Sequence, residues 1–204
     1  MKGFWPCLVL LLLAVCGCGN SSAAQLRDGD IIFQTSLSSQ STAIQRASSS
    51  KYSHMGIIFL QGGKPFVYEA SRTVQYTPLA KWVARGENGR YVVKRLRDAD
   101  RILTGDAVAK LRRAARGFRD KPYDLTFAWS DDRIYCSELV WKIYDRGLGI
   151  RIGQLQKLRD FDLSDPVVQA KLKERYGDRV PLEETVISPG AMFSAESLRV
   201  VGKH

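Results

Sequence analysis

The sequence predicts one α+β domain in which an antiparallel sheet packs against helices. The first half of the chain holds short apolar runs, rich in β-branched and aromatic residues, that are joined by turn-forming residues. The second half holds stretches with apolar residues at helical spacing. No internal repeat or interdomain linker divides the roughly 180 residues after residue 24, and this length suits a single hydrophobic core.

Most of the predicted strands come early in the chain. A hairpin is the clearest element among them, because the turn Gln61-Gly62-Gly63-Lys64 separates two apolar runs. The predicted strands cover residues 29–33, 54–60, 65–70, 74–77 and 91–96, with a further short strand near 196–201.

Three helices are predicted. A short one lies between serine-rich loops within residues 34–50, and an amphipathic basic helix covers 106–119. The clearest helix covers 135–147, with Gly147 suited to end it. The charged stretch 159–179 is predicted to be less regular. The apolar stripe of the clearest helix consists of Leu139, Val140, Ile143 and Tyr144.

Residues 1–24 are predicted to be an export leader. The apolar run within it is shorter than the about 20 residues that a membrane span needs, so it is typical of a signal peptide. Cleavage before Cys18 would give a lipoprotein, whereas cleavage after Ala24 would give a soluble periplasmic protein. We favour lipidation of Cys18, because a short polar tether follows it. No acidic residue follows Cys18 directly, so the outer membrane is the expected location.

The charge balance bears on the partners of the chain. Lys and Arg number 31 against 21 Asp and Glu, a formal net charge of +10. Exported proteins rarely meet nucleic acid, and the sequence has no zinc-finger spacing or basic heptads, so we expect no nucleic-acid partner. A surface that faces anionic lipid or wall polymer, and a merely solvated positive surface, both remain open.

One cysteine and one internal histidine stand out. Cys136 is the only cysteine beyond the leader, and His54 is the only histidine besides the C-terminal His204. A lone cysteine in an exported chain cannot close an intramolecular disulfide, and a helix N-terminus favours its thiolate. We therefore predict that Cys136 is a nucleophile, partly exposed at the floor of a cleft, with His54 as its base. A buried structural cysteine is the alternative.

Glu69 is the candidate third residue. If the turn at Gly62-Gly63 has two or four residues, positions on the two strands whose numbers sum to an odd value share a face, and His54 and Glu69 meet this condition. A carboxylate beside an imidazole would orient the ring and stabilise its charged form. A surface acid on a half-exposed strand is the alternative reading of Glu69.

Four motifs carry a resemblance to a known family. In order and spacing they resemble the circularly permuted NlpC-type papain-fold amidases of the YiiX-like group, which are distantly similar to the lecithin retinol acyltransferase family. The resemblance covers about residues 28–150. The motifs are Gly29-Asp30-Ile31-Ile32-Phe33, Tyr52-Ser53-His54-Met55-Gly56-Ile57, Tyr68-Glu69-Ala70 and Tyr135-Cys136-Ser137-Glu138-Leu139-Val140.

This resemblance implies a permuted papain-like fold with the nucleophile at a helix N-terminus. It implies that Cys136 is the nucleophile, His54 the general base and acid, and Glu69 the orienting residue. The glutamine that ordinary papain-type enzymes place six residues before the cysteine is Ser130 here. We therefore expect backbone N–H groups, including that of Cys136, to hold the oxyanion. Tyr135 is a candidate further donor, and an aromatic side chain that only packs in the core is the alternative.

The predicted function is that of an exported cysteine hydrolase. It would cleave an amide bond, as an amidase or peptidase acting on cell-envelope peptides, through a Cys–His–Glu triad and a thioester. A lipid acyl hydrolase or acyltransferase on the same triad is one alternative, and a non-enzymatic envelope binding protein is another. No cofactor is predicted. A zinc site of Cys136, His54 and Glu69 is a weaker hypothesis, because the chain lacks a closely spaced ligand pair.

Overall fold

The structure is a computed structural model that describes residue 1 and residues 25–204. The predicted leader, with the cleavage sites at Cys18 and Ala24, lies outside the described residues apart from residue 1. The strands are β1 (Ile31–Gln34), β2 (His54–Gln61), β3 (Lys64–Ala70), β4 (Val74–Pro78), β5 (Val92–Leu96), β6 (Gln156–Lys157), β7 (Thr185–Val186) and β8 (Leu198–Lys203). The helices are α1 (Ser41–Ala47), α2 (Leu79–Val83), α3 (Ala99–Ile102), α4 (Gly105–Arg116), α5 (Cys136–Leu148), α6 (Pro166–Tyr176) and α7 (Pro189–Phe193).

The main sheet has six strands in the order β4-β3-β2-β1-β5-β8, and all neighbouring pairs are antiparallel. A separate small ribbon joins β6 to β7. The predicted α+β class, an antiparallel sheet packed with helices, is confirmed. In the part of the chain that the structure describes, no helix is long and apolar enough to cross a bilayer.

The turn between β2 and β3 sets the register of the hairpin. Gly62 and Gly63 have φ angles of 56° and 77°, in the left-handed region that a type I′ turn requires at both central positions. Gln61 pairs with Lys64, so the turn has two residues. This is one of the turn lengths on which the placement of His54 and Glu69 depends.

Apolar side chains cover both faces of the sheet. The larger cluster, which includes Phe33, Ile57 and Tyr68, packs beneath α4 and α5. The smaller cluster, which includes Ile58 and Trp82, lies on the opposite face. The two faces follow from the alternation of side chains along each strand. Helix α5 therefore covers one face, while α2, which carries Trp82, covers the other.

The end of α5 differs slightly from the prediction. The helix continues to Leu148, and Gly149, with a φ of 68°, provides its left-handed end. Gly147 lies inside the helix, and a Cβ added there would be 3.2 Å from the Cα of Leu111. Gly147 thus allows α5 to lie close against α4 and does not terminate the helix.

The expectation that residues 159–179 are less regular is wrong over most of the stretch, which contains α6. Asp165 caps this helix by accepting a hydrogen bond from the Val167 N–H at 2.8 Å, and Pro166 occupies its first turn. Only Val168 is buried, whereas Val167 is 43% exposed. The short buried surface of α6 packs on α1, so its sequence shows no continuous apolar stripe.

Candidate active site

His54 and Glu69 meet at the start of β2. The pairing of Ile57 with Tyr68 fixes a register in which His54 and Glu69 lie on the same face of the hairpin, diagonal to each other. The Nε2 atom of His54 is 2.6 Å from the Oε2 atom of Glu69. The structure thus brings together the two residues that the turn geometry predicted to be neighbours.

Glu69 is completely buried yet well provided with donors. Its Oε1 atom accepts hydrogen bonds from Thr77 Oγ1, at 2.5 Å, and from the Arg85 guanidinium. Burial raises the pKa of Glu69. Hydrogen bonds from His54 and Thr77, together with the charges of His54 and Arg85, outweigh this effect and hold the pKa below its ordinary value. The buried carboxylate is therefore ionised at neutral pH.

Cys136 reaches His54 from the other side of the sheet. It is the first residue of α5 and belongs to the larger apolar cluster, whereas His54 lies on the same face as Ile58 in the smaller one. Because His54 is the first residue of its strand, its ring lies at the end of the sheet, where the neighbouring Cys136 side chain contributes to raising the pKa of the imidazole. The three predicted residues are therefore contiguous.

The predicted partial exposure of Cys136 is wrong. The residue is only 2% exposed, and its thiol is not bonded to another cysteine in the described residues. It forms part of the wall of a pocket behind the end of the sheet. Neighbouring helices and loops close over the helix N-terminus, which the local pattern of α5 does not reveal.

The environment of His54 favours its charged form. Burial lowers the pKa of the imidazole, but hydrogen bonds with Cys136 and Glu69 outweigh burial and raise the pKa of His54 to about 9. The ring also stacks on Trp82, with centroids 5.8 Å apart. At neutral pH the site therefore holds an imidazolium between the Cys136 sulfur and a carboxylate.

Tyr135, the predicted further donor, and Ser130, at the position of the papain-type glutamine, both accept hydrogen bonds from other residues, as does Tyr123. The Tyr135 hydroxyl accepts a hydrogen bond from the Ile187 N–H at 3.1 Å, and the carbonyl of Ser130 accepts one from Lys142 Nζ. The Tyr123 hydroxyl accepts one from Gln40 Nε2 at 2.8 Å.

Tyr123 is close to Cys136. Burial and the nearby Cys136 charge raise the pKa of Tyr123 well above its ordinary value. The tyrosine lies after a helix-breaking proline, Pro122, and no periodic pattern in the sequence singles it out. Sequence reasoning therefore missed Tyr123 as a candidate functional residue.

Two hollows with different linings meet at this site. The first, which we call the apolar pocket, has a volume of about 100 Å³ and includes Cys136 in its wall. The second, which we call the polar groove, is wider and includes His54. Tyr123, Lys171 and Arg175 line both hollows. The thiol and the imidazole thus open toward different environments.

A second buried carboxylate lies one turn into α5. Glu138 is completely buried, and its Oε1 atom is 2.7 Å from Lys142 Nζ. Burial outweighs this ion pair and raises the pKa of Glu138 to about 7. Sequence reasoning did not single out Glu138, because an acid and a lysine four residues apart on a helix ordinarily lie on its solvated face.

The donor set does not form a metal site in the described part of the chain. No group of three or more His, Cys, Asp or Glu side chains there is arranged to hold a metal ion. Both oxygens of Glu69 are engaged by His54, Thr77 and Arg85. The weaker hypothesis of a zinc site at Cys136, His54 and Glu69 therefore has no support from their arrangement.

Comparisons with known proteins agree with this fold. Residues 25–202 match the model of a family described as permuted papain-like amidase enzyme, YaeF/YiiX, C92 family. The chain is 52% identical over 194 residues to the uncharacterized protein YiiX of Escherichia coli strain K12, covering 95% of each chain. It is also similar to the crystal structure of metalloprotein yiiX from Escherichia coli O157:H7, with a TM-score of 0.85 and 54% identity over 88% of this chain and 98% of that one. The chain therefore belongs to the permuted papain-like amidase family YaeF/YiiX, C92.

Proposed function

We propose that this protein is a cysteine-dependent amide hydrolase in which Cys136 is the nucleophile, His54 is the general base and acid, and Glu69 positions His54. The observation that carries the proposal is the continuous contact from Cys136 through His54 to Glu69. Membership of an amidase family supports the reaction class. The raised pKa of His54 and the lowered pKa of Glu69 favour an imidazolium that would stabilise a thiolate at neutral pH.

The reaction proceeds in two acyl transfers. The Cys136 sulfur attacks the amide carbonyl carbon, and a tetrahedral intermediate forms. The C–N bond then breaks as His54 gives its proton to the leaving nitrogen, so an amine departs and a thioester remains on Cys136. His54 next takes a proton from water, whose oxygen attacks the thioester. The second tetrahedral intermediate then collapses, the carboxylic acid leaves, and the Cys136 thiolate and the His54 imidazolium are restored.

The oxyanion is held by the Cys136 N–H and the Tyr123 hydroxyl in this proposal. The first N–H groups of a helix have no partner within the helix, so the N–H of Cys136 is suited to bind an anion. The Tyr123 oxygen already accepts from Gln40, so its own proton is available to the substrate. A Tyr123→Phe variant should lose about 100-fold in kcat while its Cys136 alkylates at the wild-type rate.

We assign no step of this mechanism to a metal ion. That protein is described as a metalloprotein. Here no group of three or more His, Cys, Asp or Glu side chains in the described residues is arranged to hold a metal ion, and His54 has Cys136 and Glu69 on its two sides. Each step above uses only protein side chains and water.

The proposed location is the cell envelope. Export and attachment through Cys18 rest on the leader, and a lipid-anchored enzyme would find amide substrates among envelope peptides. Mass spectrometry of the native N-terminus distinguishes a lipidated Cys18 from an unmodified chain that begins at Gln25. The second result would make the protein a soluble periplasmic enzyme and leave the chemistry unchanged.

The central experiment measures the reactivity of Cys136. Wild type, His54→Ala and His204→Ala are treated with iodoacetamide near neutral pH, and the labelled peptide is mapped. We expect rapid labelling of Cys136 in wild type and in the His204→Ala control, and slow labelling in His54→Ala. Amide hydrolysis should disappear in Cys136→Ser. Equal labelling rates in all three proteins, or turnover that survives Cys136→Ser, would contradict the proposal.

A further inference from the structure

We propose that Arg175 and Gln40 are positioning residues that fix the direction of the Tyr123 hydroxyl, so that its proton points to the oxyanion and not to the protein. This inference rests on the proposed function, in which Tyr123 donates to the oxyanion of the substrate. It goes beyond that function, because it assigns a role to α6, the helix that carries Arg175.

A chain of two hydrogen bonds leads from α6 to Tyr123. The Nη2 atom of Arg175 donates to the Oε1 atom of Gln40 at 2.6 Å, and the Nε2 atom of Gln40 donates to the Tyr123 hydroxyl oxygen at 2.8 Å. We call this chain the Arg175–Gln40–Tyr123 relay. Its members come from the last turn of α6, the residue before α1 and the loop after Pro122, so the fold brings together three distant segments.

The chemistry of the guanidinium fixes the orientation of the Gln40 amide. A guanidinium has donors only, so the part of the amide that faces Arg175 must be the carbonyl oxygen. The amide nitrogen then faces Tyr123, whose oxygen accepts its proton. If the amide turned by half a rotation, its NH2 group would face the guanidinium, and its oxygen would take the Tyr123 proton. Arg175 therefore selects the orientation that leaves this proton free.

The Tyr123 proton has no competing acceptor in the part of the chain that the structure describes, where the hydroxyl only accepts from Gln40. Tyr123 lines the apolar pocket together with Cys136, and it lines the polar groove together with His54. Burial and the Cys136 charge raise the pKa of Tyr123, so the hydroxyl stays protonated at neutral pH. A neutral hydroxyl with a free proton, held beside the attacking sulfur, is suited to donate to an oxyanion.

The guanidinium of Arg175 is itself held in place. It lies over the Phe127 ring, 4.8 Å from the ring centroid. The hydroxyl of Tyr176, the next residue of α6, donates to the Thr126 carbonyl. Because Val168 is the only buried residue of α6, these contacts with the loop that carries Tyr123, and not a hydrophobic core, fix the end of the helix.

Gln40→Glu separates an orienting role of Gln40 from a merely structural one. A carboxylate keeps the shape of the Gln40 side chain and binds the Arg175 guanidinium more strongly, but it has no donor for Tyr123 and takes the hydroxyl proton instead. If Gln40 only supports the fold, this variant should react like wild type. If the relay orients the hydroxyl, it should react like Tyr123→Phe although thermal unfolding shows it to be as stable as wild type.

Two reactions of Cys136 provide the readout. In the first, the sulfur displaces iodide from iodoacetamide, and no oxyanion forms. In the second, the sulfur attacks the carbonyl carbon of p-nitrophenyl acetate, an oxyanion forms, and p-nitrophenolate leaves while the acetyl group stays on the sulfur. We expect Gln40→Glu and Tyr123→Phe to lower the rate of the second reaction by at least about tenfold and to leave the first unchanged. Equal acylation rates in wild type and Gln40→Glu, or a loss shared by both reactions, overturn the inference.

Arg175→Met tests the far end of the relay. A methionine still packs on Phe127 but cannot bind Gln40, so the amide is free to turn, and the acylation rate should fall by about fivefold. In the Tyr123→Phe background the same change should have an effect below about twofold, because Arg175 acts only through Tyr123. Lys173→Met removes a positive charge from the exposed side of α6 and should react like wild type. Additive losses in the double variant contradict the relay.

A measurement without turnover separates this inference from the proposed function. The NMR resonance of the Tyr123 ring carbon that bears the hydroxyl is recorded with isotopically labelled tyrosine and assigned with Tyr123→Phe. In Gln40→Glu it should move toward the position of a tyrosinate, because the hydroxyl now donates to a carboxylate. This shift supports the relay even if Cys136 of wild type shows neither reaction, in which case only the proposed function fails. An unchanged resonance overturns the relay, even if wild type hydrolyses amides.

Discussion

Two buried carboxylates lie near the site, and they behave in opposite ways. Glu69 at the end of the sheet and Glu138 in the first turn of α5 are both completely buried, and each faces a basic side chain. The pKa of Glu69 is held below its ordinary value, whereas the pKa of Glu138 is raised to about 7. Burial and one basic neighbour therefore do not decide whether a carboxylate is ionised.

The two pKa values differ because the two carboxylates have different hydrogen-bond donors, and because the main donor to Glu138 also binds other acceptors. Glu69 receives hydrogen bonds from His54, Thr77 and Arg85, and two of these carry positive charge. Glu138 accepts a long hydrogen bond from the Tyr135 N–H at 3.4 Å and is paired with Lys142, which also donates to the Ser130 carbonyl at 2.6 Å and to Asp131 at 2.9 Å. The nearby Asp124 raises the pKa of Glu138 further. A charge withdrawn from water stays charged only when dedicated partners replace the water.

The largest expected effect comes from neutralising the two carboxylates in turn. Glu69→Gln should lower kcat/KM by about 1000-fold, because the amide no longer stabilises the imidazolium and can present the wrong group to His54. Glu138→Gln should change kcat/KM by less than about threefold, since no contact links Glu138 to His54 among the described side chains. Steady-state kinetics on both variants, with folding checked by circular dichroism, measures this. Similar losses in the two would refute the distinction between them.

The second expected effect is on the pH dependence of folding stability, which has opposite signs for Glu138 and Glu69. Folded Glu138 keeps its proton up to about pH 7, whereas the unfolded group loses it near 4.5, so this group makes wild-type stability fall over that window. As the pH rises from about 4.5 to about 7, the free energy of unfolding of Glu138→Gln should therefore increase by about 3 kcal/mol relative to that of wild type.

Glu69 has the opposite linkage. Its lowered pKa contributes stability that is present above the unfolded pKa and is lost as the pH falls through the folded pKa. Glu69→Gln should therefore be most destabilising at neutral pH and least in acid. Urea unfolding across this pH range measures both variants, and parallel pH dependences would show that the two carboxylates share one environment.

The third comparison concerns the pH at which kcat/KM declines on the alkaline side of the pH–rate profile. The imidazolium of His54 persists until the pH rises through about 9, so wild-type kcat/KM should decline near that pH. In Glu69→Gln the limb should move down by at least about one pH unit, because a hydrogen bond and a negative charge are lost. Glu138→Gln should keep the wild-type limb. An unchanged limb in Glu69→Gln would mean that Glu69 does not set the charge of His54.

The smallest expected effect comes from one donor of Glu69. Thr77→Val keeps the shape of the side chain but removes the hydroxyl that donates to Glu69 Oε1. We expect kcat to fall by up to about tenfold with KM unchanged, because Thr77 acts only through Glu69. Asp131→Asn, which removes a competitor for Lys142 beside Glu138, is the matched control and should leave kcat unchanged. A change in KM alone would place Thr77 in substrate binding.

Much of the site can be predicted from the sequence. The cysteine count isolates Cys136, the histidine count isolates His54, and the alternation of side chains across a two-residue turn places Glu69 beside His54. These inferences work because the periods of strands and helices are properties of the local chain. The catalytic roles of the three residues stay predictions until they are tested.

The sequence by itself thus determined the α+β class, the helix that begins at Cys136 and the hairpin that joins His54 to Glu69. Only the tertiary structure decided that α6 forms, that Cys136 is buried and that Tyr123 lies beside it. It also decided that Glu138 titrates near neutrality. These features depend on residues far apart in the chain, since α1, α6 and the segment 186–189 converge on Cys136. Burial and charge there follow from packing between segments, which no local period encodes.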